Sequence, residues 1–469
     1  MKVVLHSVEN TGEEGHPPLP IAYLCSYIRK YAPEIEIKAI DHAKEPIREI
    51  LKLNPDVVGI SSMSLPFYKA REIAQKIKKI NPKTLVVLGG HHISNLPQTL
   101  PEEFDIGVIG EGEETFKEIL QNFLQDGNIK NLKKIKGICF HHNGQIKINP
   151  PRPLIENLDD IPIPARDVFD MEGYYLQPRR SGTMQTISRG THMITSKGCP
   201  FNCVFCASPR KRIRFFSAER VVEEMNLLYT KYNVQEIAIV DDLFVVDINR
   251  LKKILELMKT KPFYKKVSFF CETRTDIFNE EMAIILKEMN VKTMAFGFES
   301  GSEEELKYLK RNTTTVKDNN RACKICKKYG FAIDGYFIIG SPIQTREDLA
   351  KTIKFIKDNK INYISIATAT PFPGSDWWEY AKKLGLVDDF MDFKEFDTQA
   401  RNSYFFINQN FSKEEYERII RYMKKFEENF NFNISIAFKD LFSLFLIKRA
   451  IKNPKRAWTY IKHSLFKKK

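Results

Sequence analysis

The chain has 469 residues, 43% of them hydrophobic and 28% charged, with a formal net charge of +14. That length and apolar content exclude a disordered chain and leave room for two or three domains, each with its own core. The charge is uneven: residues 439–469 hold ten Lys or Arg and one Asp, a net of +9, which leaves +5 (14 − 9) for the rest.

The opening segment, MKVVLHSVEN, has no apolar run behind a basic stretch, so no secretory signal is expected. Residues 1–148 alternate short apolar strands (Lys2–Val8, Glu36–Asp41, Val57–Met63, Thr84–Gly90, Ile106–Gly110) with amphipathic helices such as Phe67–Ile80, where Ile73, Ile77 and Ile80 share a face. The alternation predicts a doubly wound parallel sheet, which binds ligands beyond the carboxyl ends of its strands. Ser61, Ser62, Gly89, Gly90, Glu111 and Gly112 fall at those ends. Asn143-Gly144 marks a hairpin.

Residues 149–190 are rich in proline and acidic side chains and read as an extended linker. From residue 191 to about 390 the alternation resumes, with strands near 191–197, 236–241, 266–272, 293–299, 332–340 and 363–370. Helices include Ala218–Lys231, Arg250–Met258 and Asp348–Lys357. Six strand–helix units suit either a partial barrel or a second open sheet. Residues 391–469 read as a helical, aromatic and basic region.

Eight cysteines, sparsely and unevenly placed, do not make a disulfide framework in a chain this long. A reducing, cytoplasmic compartment with thiols available to metal is expected. Three of them form Cys199-Pro-Phe-Asn-Cys203-Val-Phe-Cys206, a compact loop that can aim three thiolates at one point. Fully ligated 4Fe–4S clusters generally take four cysteines, so three leave one iron open to bind a substrate or cofactor. The competing chemistry is a structural zinc site closed by a histidine such as His192.

This spacing, with the aromatic Phe205 before the last cysteine and six strand–helix units around it, resembles the radical S-adenosylmethionine (SAM) superfamily. Downstream segments match in order: Val240-Asp241-Asp242-Leu243-Phe244, Arg274, Gly297-Phe298-Glu299-Ser300-Gly301-Ser302, Phe337-Ile338-Ile339-Gly340 and Pro371-Phe372-Pro373-Gly374. The resemblance implies a partial (β/α)6 barrel and a 4Fe–4S cluster on Cys199, Cys203 and Cys206. It also implies SAM contacts from Phe205, Asp241, Asp242, Arg274 and Glu299.

The segments Pro18–Leu24, Val58–Ser62, Leu88-Gly89-Gly90-His91-His92 and Gly110-Glu111-Gly112-Glu113-Glu114, with Pro164-Ala165-Arg166-Asp167 in the linker, resemble the cobalamin-binding module that precedes many such barrels. Cobalamin is then a second cofactor, with Ser61, Ser62, Gly89, Gly90, Glu111 and Gly112 at its crevice. The D-x-H-x-x-G signature of methionine-synthase-type cobalamin domains is absent, since Asp41-His42-Ala43-Lys44 does not fit it. His91 and His92 are alternative cobalt ligands, set against pocket lining or helix capping.

Together these likenesses imply reductive cleavage of SAM to a 5′-deoxyadenosyl radical and methylation of an unactivated carbon from methylcobalamin. Radical cyclisation or rearrangement, and RNA modification, use the same parts. A flavodoxin or ferredoxin would supply electrons. Cys323 and Cys326 sit one helical turn apart, where shared packing is the simpler expectation than a second metal site. The tail mixes Phe, Leu, Trp458 and Tyr460 with dense positive charge. It suits either a helical cap or peripheral contact at the inner membrane surface, and the latter motivates a lipid-like substrate. No added RNA-binding motif accompanies it, so nucleic acid ranks below the membrane.

Overall fold

The computed structural model describes residues 1–8, 16–41, 45–126, 131–175, 189–208, 212–400 and 404–431. The N-terminal part is a seven-stranded sheet: β1 (Lys2–Val8), β2 (Glu36–Ile40), β3 (Val57–Ser62), β4 (Leu85–Gly89), β5 (Ile106–Val108), β6 (Ile138–His142) and β7 (Gln145–Ile148), in the order β2-β1-β3-β4-β5-β6-β7. It is parallel from β2 to β5 and closes with the β6–β7 hairpin. Strand β1 buries Val3 and Leu5 in one core and Val4 in another. The two faces are covered separately, by helices Leu19–Tyr31 and Glu113–Asp126 on one side and Phe67–Ile80 on the other. Strand order reverses between β1 and β3, which places the ligand crevice of this doubly wound sheet at the ends of β1, β3 and β4.

The second sheet has six parallel strands in strict chain order: β8 (Gly190–Met193), β11 (Glu236–Ile239), β12 (Ser268–Thr273), β13 (Val291–Glu299), β14 (Ala332–Ile339) and β15 (Tyr363–Thr368). Without a reversal, right-handed crossovers put every helix on one face, and the sheet curls into a partial barrel. Alternation divides the side chains accordingly. Ile237, Ile239, Phe269, Met294, Phe296, Ile333, Phe337 and Ile364 enter the core under the helices. Ala238, Phe270 and Ala295, with Val240 and Tyr336, form a small separate cluster inside the curve.

Three helices start earlier than apolar periodicity suggests or run slightly longer: Ala218–Tyr232, Ile248–Lys259 and Arg346–Asp358. The cause is capping. Asp247 accepts from the backbone N–H of Asn249 and Arg250, and Thr345 with Asp348 forms a capping box, each cap adding a polar first turn ahead of the apolar stripe.

The first barrel strand is shorter than expected. It ends at Met193, and Ser196–Lys197 (β9) pairs antiparallel with Arg214–Phe215 (β10) instead. At the other edge, helix Lys413–Asn431 covers β15. Asn431 and Glu427 accept the backbone N–H groups of Ile364 and Ile366, and Asn431 and Lys424 donate to their carbonyls, so that edge offers no open ladder. Among the described residues no helix is long and apolar enough to cross a membrane. Residues 432–469, which hold the basic aromatic tail, lie outside the described residues.

Candidate functional site

The cysteine loop leaves β9 through Gly198, whose φ of +97° lies in the left-handed region that glycine adopts at little cost. It is pinned along its length: Val204 N–H donates to Leu309 O, Asp376 N–H to Val204 O, and Arg311 Nε to Asn202 O. Phe205 packs 5.9 Å from Trp377. Cys199 and Cys203 are half-buried and Cys206 is exposed, whereas Cys25, Cys139, Cys271, Cys323 and Cys326 are all buried. Each loop sulfur has a donor: Phe201 N–H for Cys199, Arg274 Nη1 for Cys203 (3.7 Å) and Ser208 N–H for Cys206 (3.4 Å). Such donors hold and tune cluster thiolates. Among the described residues no three His, Cys, Asp or Glu side chains crowd closely enough to hold one ion. A four-iron cube gives each cysteine its own iron and asks for wider spacing.

The residues expected around SAM divide into two sets. Asp241 is turned inward and is fully committed. Its carboxylate accepts from Thr195 N–H (2.5 Å), Thr195 Oγ1 (2.5 Å) and Ser196 Oγ (2.7 Å), which is why the first barrel strand breaks there. Asp242 is exposed, and its charge reaches Cys199 and Cys206. Arg274 gives Nε to Asp276, Nη2 to Thr313 and Thr314, and its face to Phe201 at 3.6 Å. It braces the cysteine loop, with one nitrogen toward Cys203. Glu299 has a φ of +59°, uncommon for a side chain with a Cβ, and pairs with Lys310 at 2.7 Å.

Behind Glu299 lies a polar network that the motif alone does not show. Glu305 is buried and accepts from Ser300 Oγ (2.7 Å), Ser341 Oγ (2.6 Å) and Gln344 Nε2 (3.0 Å). Burial outweighs those bonds and pushes its carboxyl up to about 7. Because the folded value lies above the usual 4.5, this group's contribution to stability is fully present at lower pH and is lost as pH rises through about 7. Glu305→Gln is therefore expected to flatten the loss of stability between about pH 4.5 and 7, read from denaturant midpoints. Parallel curves for variant and parent would contradict this.

A second carboxyl that sequence reasoning missed is Glu272 on β12, two residues from Phe270 and so on the inside of the barrel. Tyr336 Oη donates to it (3.3 Å), and burial beside Asp242, Asp241 and Asp334 raises it to about 7. Period-2 alternation along Ser268–Thr273 was the available signal.

On the N-terminal side, Gly90 (φ +99°) lies against β3: a Cβ there would stand 2.5 Å from Ser62 O and 3.1 Å from Ser61 Oγ. Beside it, a Cβ on Gly89 would meet nothing within 4 Å. Ser61, Ser62, Gly89 and Gly90 thus come together at the carboxyl ends of β3 and β4, with Met63 exposed next to them. Glu111 is not among them. Its carboxylate is buried against Arg214, at 2.5 and 3.1 Å, on the barrel side. Gly112 precedes helix Glu113–Asp126, and Phe116 N–H donates to its carbonyl.

His92 is a core residue. Its ring stacks on Phe67 at 3.6 Å, meets Phe393 edge-on at 4.4 Å and shares a hydrogen bond with Ser64 Oγ, and burial lowers its pKa to about 3. His91 is exposed at the start of the short helix His91–Asn95. Cys323 and Cys326 lie in the core under the barrel helices, and burial pushes Cys323 up to about 12. His42 lies outside the described residues.

The helix that follows Gly90 touches the cysteine loop. Asn95, at the end of helix His91–Asn95, donates to Ala207 O (3.4 Å), one residue beyond Cys206.

Comparison with known proteins gives two family matches, the radical SAM superfamily over residues 193–356 and the B12-binding domain over residues 2–120. An uncharacterized methyltransferase of Pyrococcus horikoshii is 35% identical over 467 residues, covering 94% of each chain. The anaerobic magnesium-protoporphyrin IX monomethyl ester cyclase of Rubrivivax gelatinosus is 27% identical, covering 81% of this chain and 68% of its own. Among solved structures, the radical SAM methyltransferase TsrM of Kitasatospora setae, with cobalamin and a 4Fe–4S cluster bound, superposes with a TM-score of 0.66 at 20% identity, over 81% of this chain and 75% of that one.

Proposed function

Because this chain belongs to the radical SAM superfamily, in the group that carries a B12-binding domain ahead of the barrel, we propose that it methylates an unactivated carbon of a small molecule. The observation that carries this reading is the juxtaposition of two sites. A loop of three hydrogen-bonded thiols touches, through Ala207 and Asn95, the short helix that follows Ser61, Ser62, Gly89 and Gly90 at the ends of β3 and β4. Cys199, Cys203 and Cys206 would hold a 4Fe–4S cluster, and the crevice would hold cobalamin. When bound, the cluster supplies the electron that splits SAM and cobalamin supplies the methyl group.

The chain's own residues bind and orient. Asp242 offers a carboxylate to the SAM ammonium, and Glu299, held by Lys310 and by the network under it, faces the ribose. Arg274 and Phe205 fix the loop rather than the ligand. Inside the barrel, Ala238, Phe270, Ala295 and Tyr336 make a wall beside Glu272, a carboxyl able to hold or give up a proton near neutral pH.

Asp242→Asn is expected to weaken SAM binding about tenfold, a typical loss for one charge-assisted hydrogen bond, with iron content unchanged. Equilibrium dialysis of the loaded protein checks it. An unchanged affinity would remove Asp242 from the site.

The second reading is radical cyclisation without methyl transfer, favoured by the similarity to the Rubrivivax cyclase. Feeding methyl-deuterated methionine to cells with and without the gene separates the two. A metabolite that carries the label and disappears with the gene supports methylation. A metabolite that disappears but carries no label supports cyclisation. We further propose, from the sequence of residues 432–469, that the basic aromatic tail contacts anionic membranes and brings a lipid-like substrate within reach. A flavodoxin or ferredoxin would be the electron donor. Unchanged liposome sedimentation after deletion of the tail would refute the membrane part.

A further inference from the structure

The β9–β10 hairpin leads into and out of the cysteine loop, and in it Lys197 and Arg214 are direct cross-strand partners. Each meets one carboxylate from the segment after β5, Glu111 in the loop and Glu113 at the start of helix Glu113–Asp126. Lys197 Nζ lies 2.5 Å from Glu113 Oε1, and Arg214 grips both oxygens of Glu111, at 2.5 and 3.1 Å. All four side chains are 7% exposed or less. Two acids two residues apart on one domain thus meet two adjacent cations on the other, out of reach of salt screening.

The acidic loop is also bound to the crevice. Gly110 N–H donates to Ser94 Oγ (3.0 Å), and Ser94 Oγ donates to Gly90 O (2.8 Å). A continuous chain of bonds runs from Gly90 through Ser94, Gly110 and the two ion pairs to Lys197, two residues before Cys199. The Asn95–Ala207 contact holds the other end of the same loop. Buried ion pairs add little stability over apolar pairs of the same shape, because desolvating the charges cancels most of the attraction. In some proteins such pairs instead fix relative position or register.

We propose that Glu111 and Glu113, clamped to Arg214 and Lys197, are positioning residues that set the separation and orientation of the cysteine loop against the crevice. The inference deepens the reading above, in which the two cofactors must act on one substrate between them. It also reassigns Glu111, expected from its motif to contact cobalamin, to the joint between the domains.

Two measurements on the full-length Glu111→Gln/Glu113→Gln double variant test it. Amide hydrogen exchange needs no cofactor. Exchange about tenfold faster is expected in residues 110–113 and in the hairpin strands, with the central barrel strands β12–β14 unchanged. Equal exchange in variant and parent overturns the clamp. In protein loaded with iron, sulfide and hydroxocobalamin, the magnetic interaction between reduced cluster and cob(II)alamin is expected to weaken at least about twofold while iron and corrinoid contents stay at parent levels. An unchanged interaction, or loss of the cluster itself, overturns the positioning role and leaves only a folding one. If the double variant does not fold, Glu111→Gln alone, with the Lys197 pair intact, carries both measurements. Failure of the parent to bind any corrinoid would sink the methyltransferase reading instead, and the exchange experiment would still decide the clamp.

Discussion

Replacing Cys199, Cys203 or Cys206 singly by alanine is expected to lower both cluster content and SAM cleavage by more than about 100-fold, since even residues behind a metal ligand cost about 10–100-fold when changed. The three thiols are the half-buried or exposed cysteines of the molecule, and each has an N–H donor aimed at its sulfur. With only three protein ligands, losing one would leave two irons open, and the other five cysteines are all buried. Cys323→Ala or Cys326→Ala is the matched control: each removes one buried sulfur from a helix core and should leave iron content and cleavage intact. Iron and sulfide analysis, visible absorption and 5′-deoxyadenosine yield are the readouts. A loop variant that kept its cluster and its cleavage would show that the loop is not the metal site.

The second large effect is on folding. Arg166, in the segment between the two sheets, is 1% exposed. It donates to Glu224 Oε1 (2.8 Å) on helix Ala218–Tyr232 and to His192 O (2.9 Å) on β8, while the neighbouring Ala165 N–H donates to Ala22 O. The linker thus joins the N-terminal sheet's helix Leu19–Tyr31 through the Ala165 backbone, and the barrel's helix Ala218–Tyr232 and first strand through the Arg166 side chain. Arg166→Ala leaves Glu224 buried with Arg220 as its described partner and removes one donor from His192 O. Breaking one half of a buried pair costs about 3–5 kcal/mol, a large share of the total stability of most domains. Denaturant unfolding should show a lower midpoint with an unchanged slope. A change below about 1 kcal/mol would mean the pair is no more than a surface contact.

Much of this architecture was legible in the sequence because it is written locally. Strand–helix alternation, the glycine-rich strand ends and the Cys199–Cys206 spacing involve residues close along the chain, and their order carried both family likenesses. What was not legible depends on distant partners. Asp241 looks like a ligand-contacting residue at a strand end, yet Thr195 and Ser196, more than forty positions earlier, consume its carboxylate. Glu111 sits in a motif of the cobalamin crevice, but Arg214, 103 residues on, turns it into the domain joint. Arg274 was expected to contact SAM, and Thr313 and Thr314, some forty residues on, take Nη2 while the nearby Asp276 takes Nε. His92, weighed as a cobalt ligand against pocket lining or helix capping, is buried by Phe67 and by Phe393, some three hundred residues on. In each case the residue type suited a ligand, and a neighbour invisible to local spacing took the valence first. The choice between barrel and open sheet had the same character, since it is decided by strand order in space.

The most direct test is anaerobic reconstitution of the full chain with iron, sulfide and hydroxocobalamin, followed by addition of SAM and dithionite. Release of 5′-deoxyadenosine and methionine, from protein that retains a bound corrinoid spectrum after desalting, is the expected result. A fully loaded cluster that releases neither product would contradict the central claim that this loop and this crevice form a cobalamin-dependent radical SAM centre.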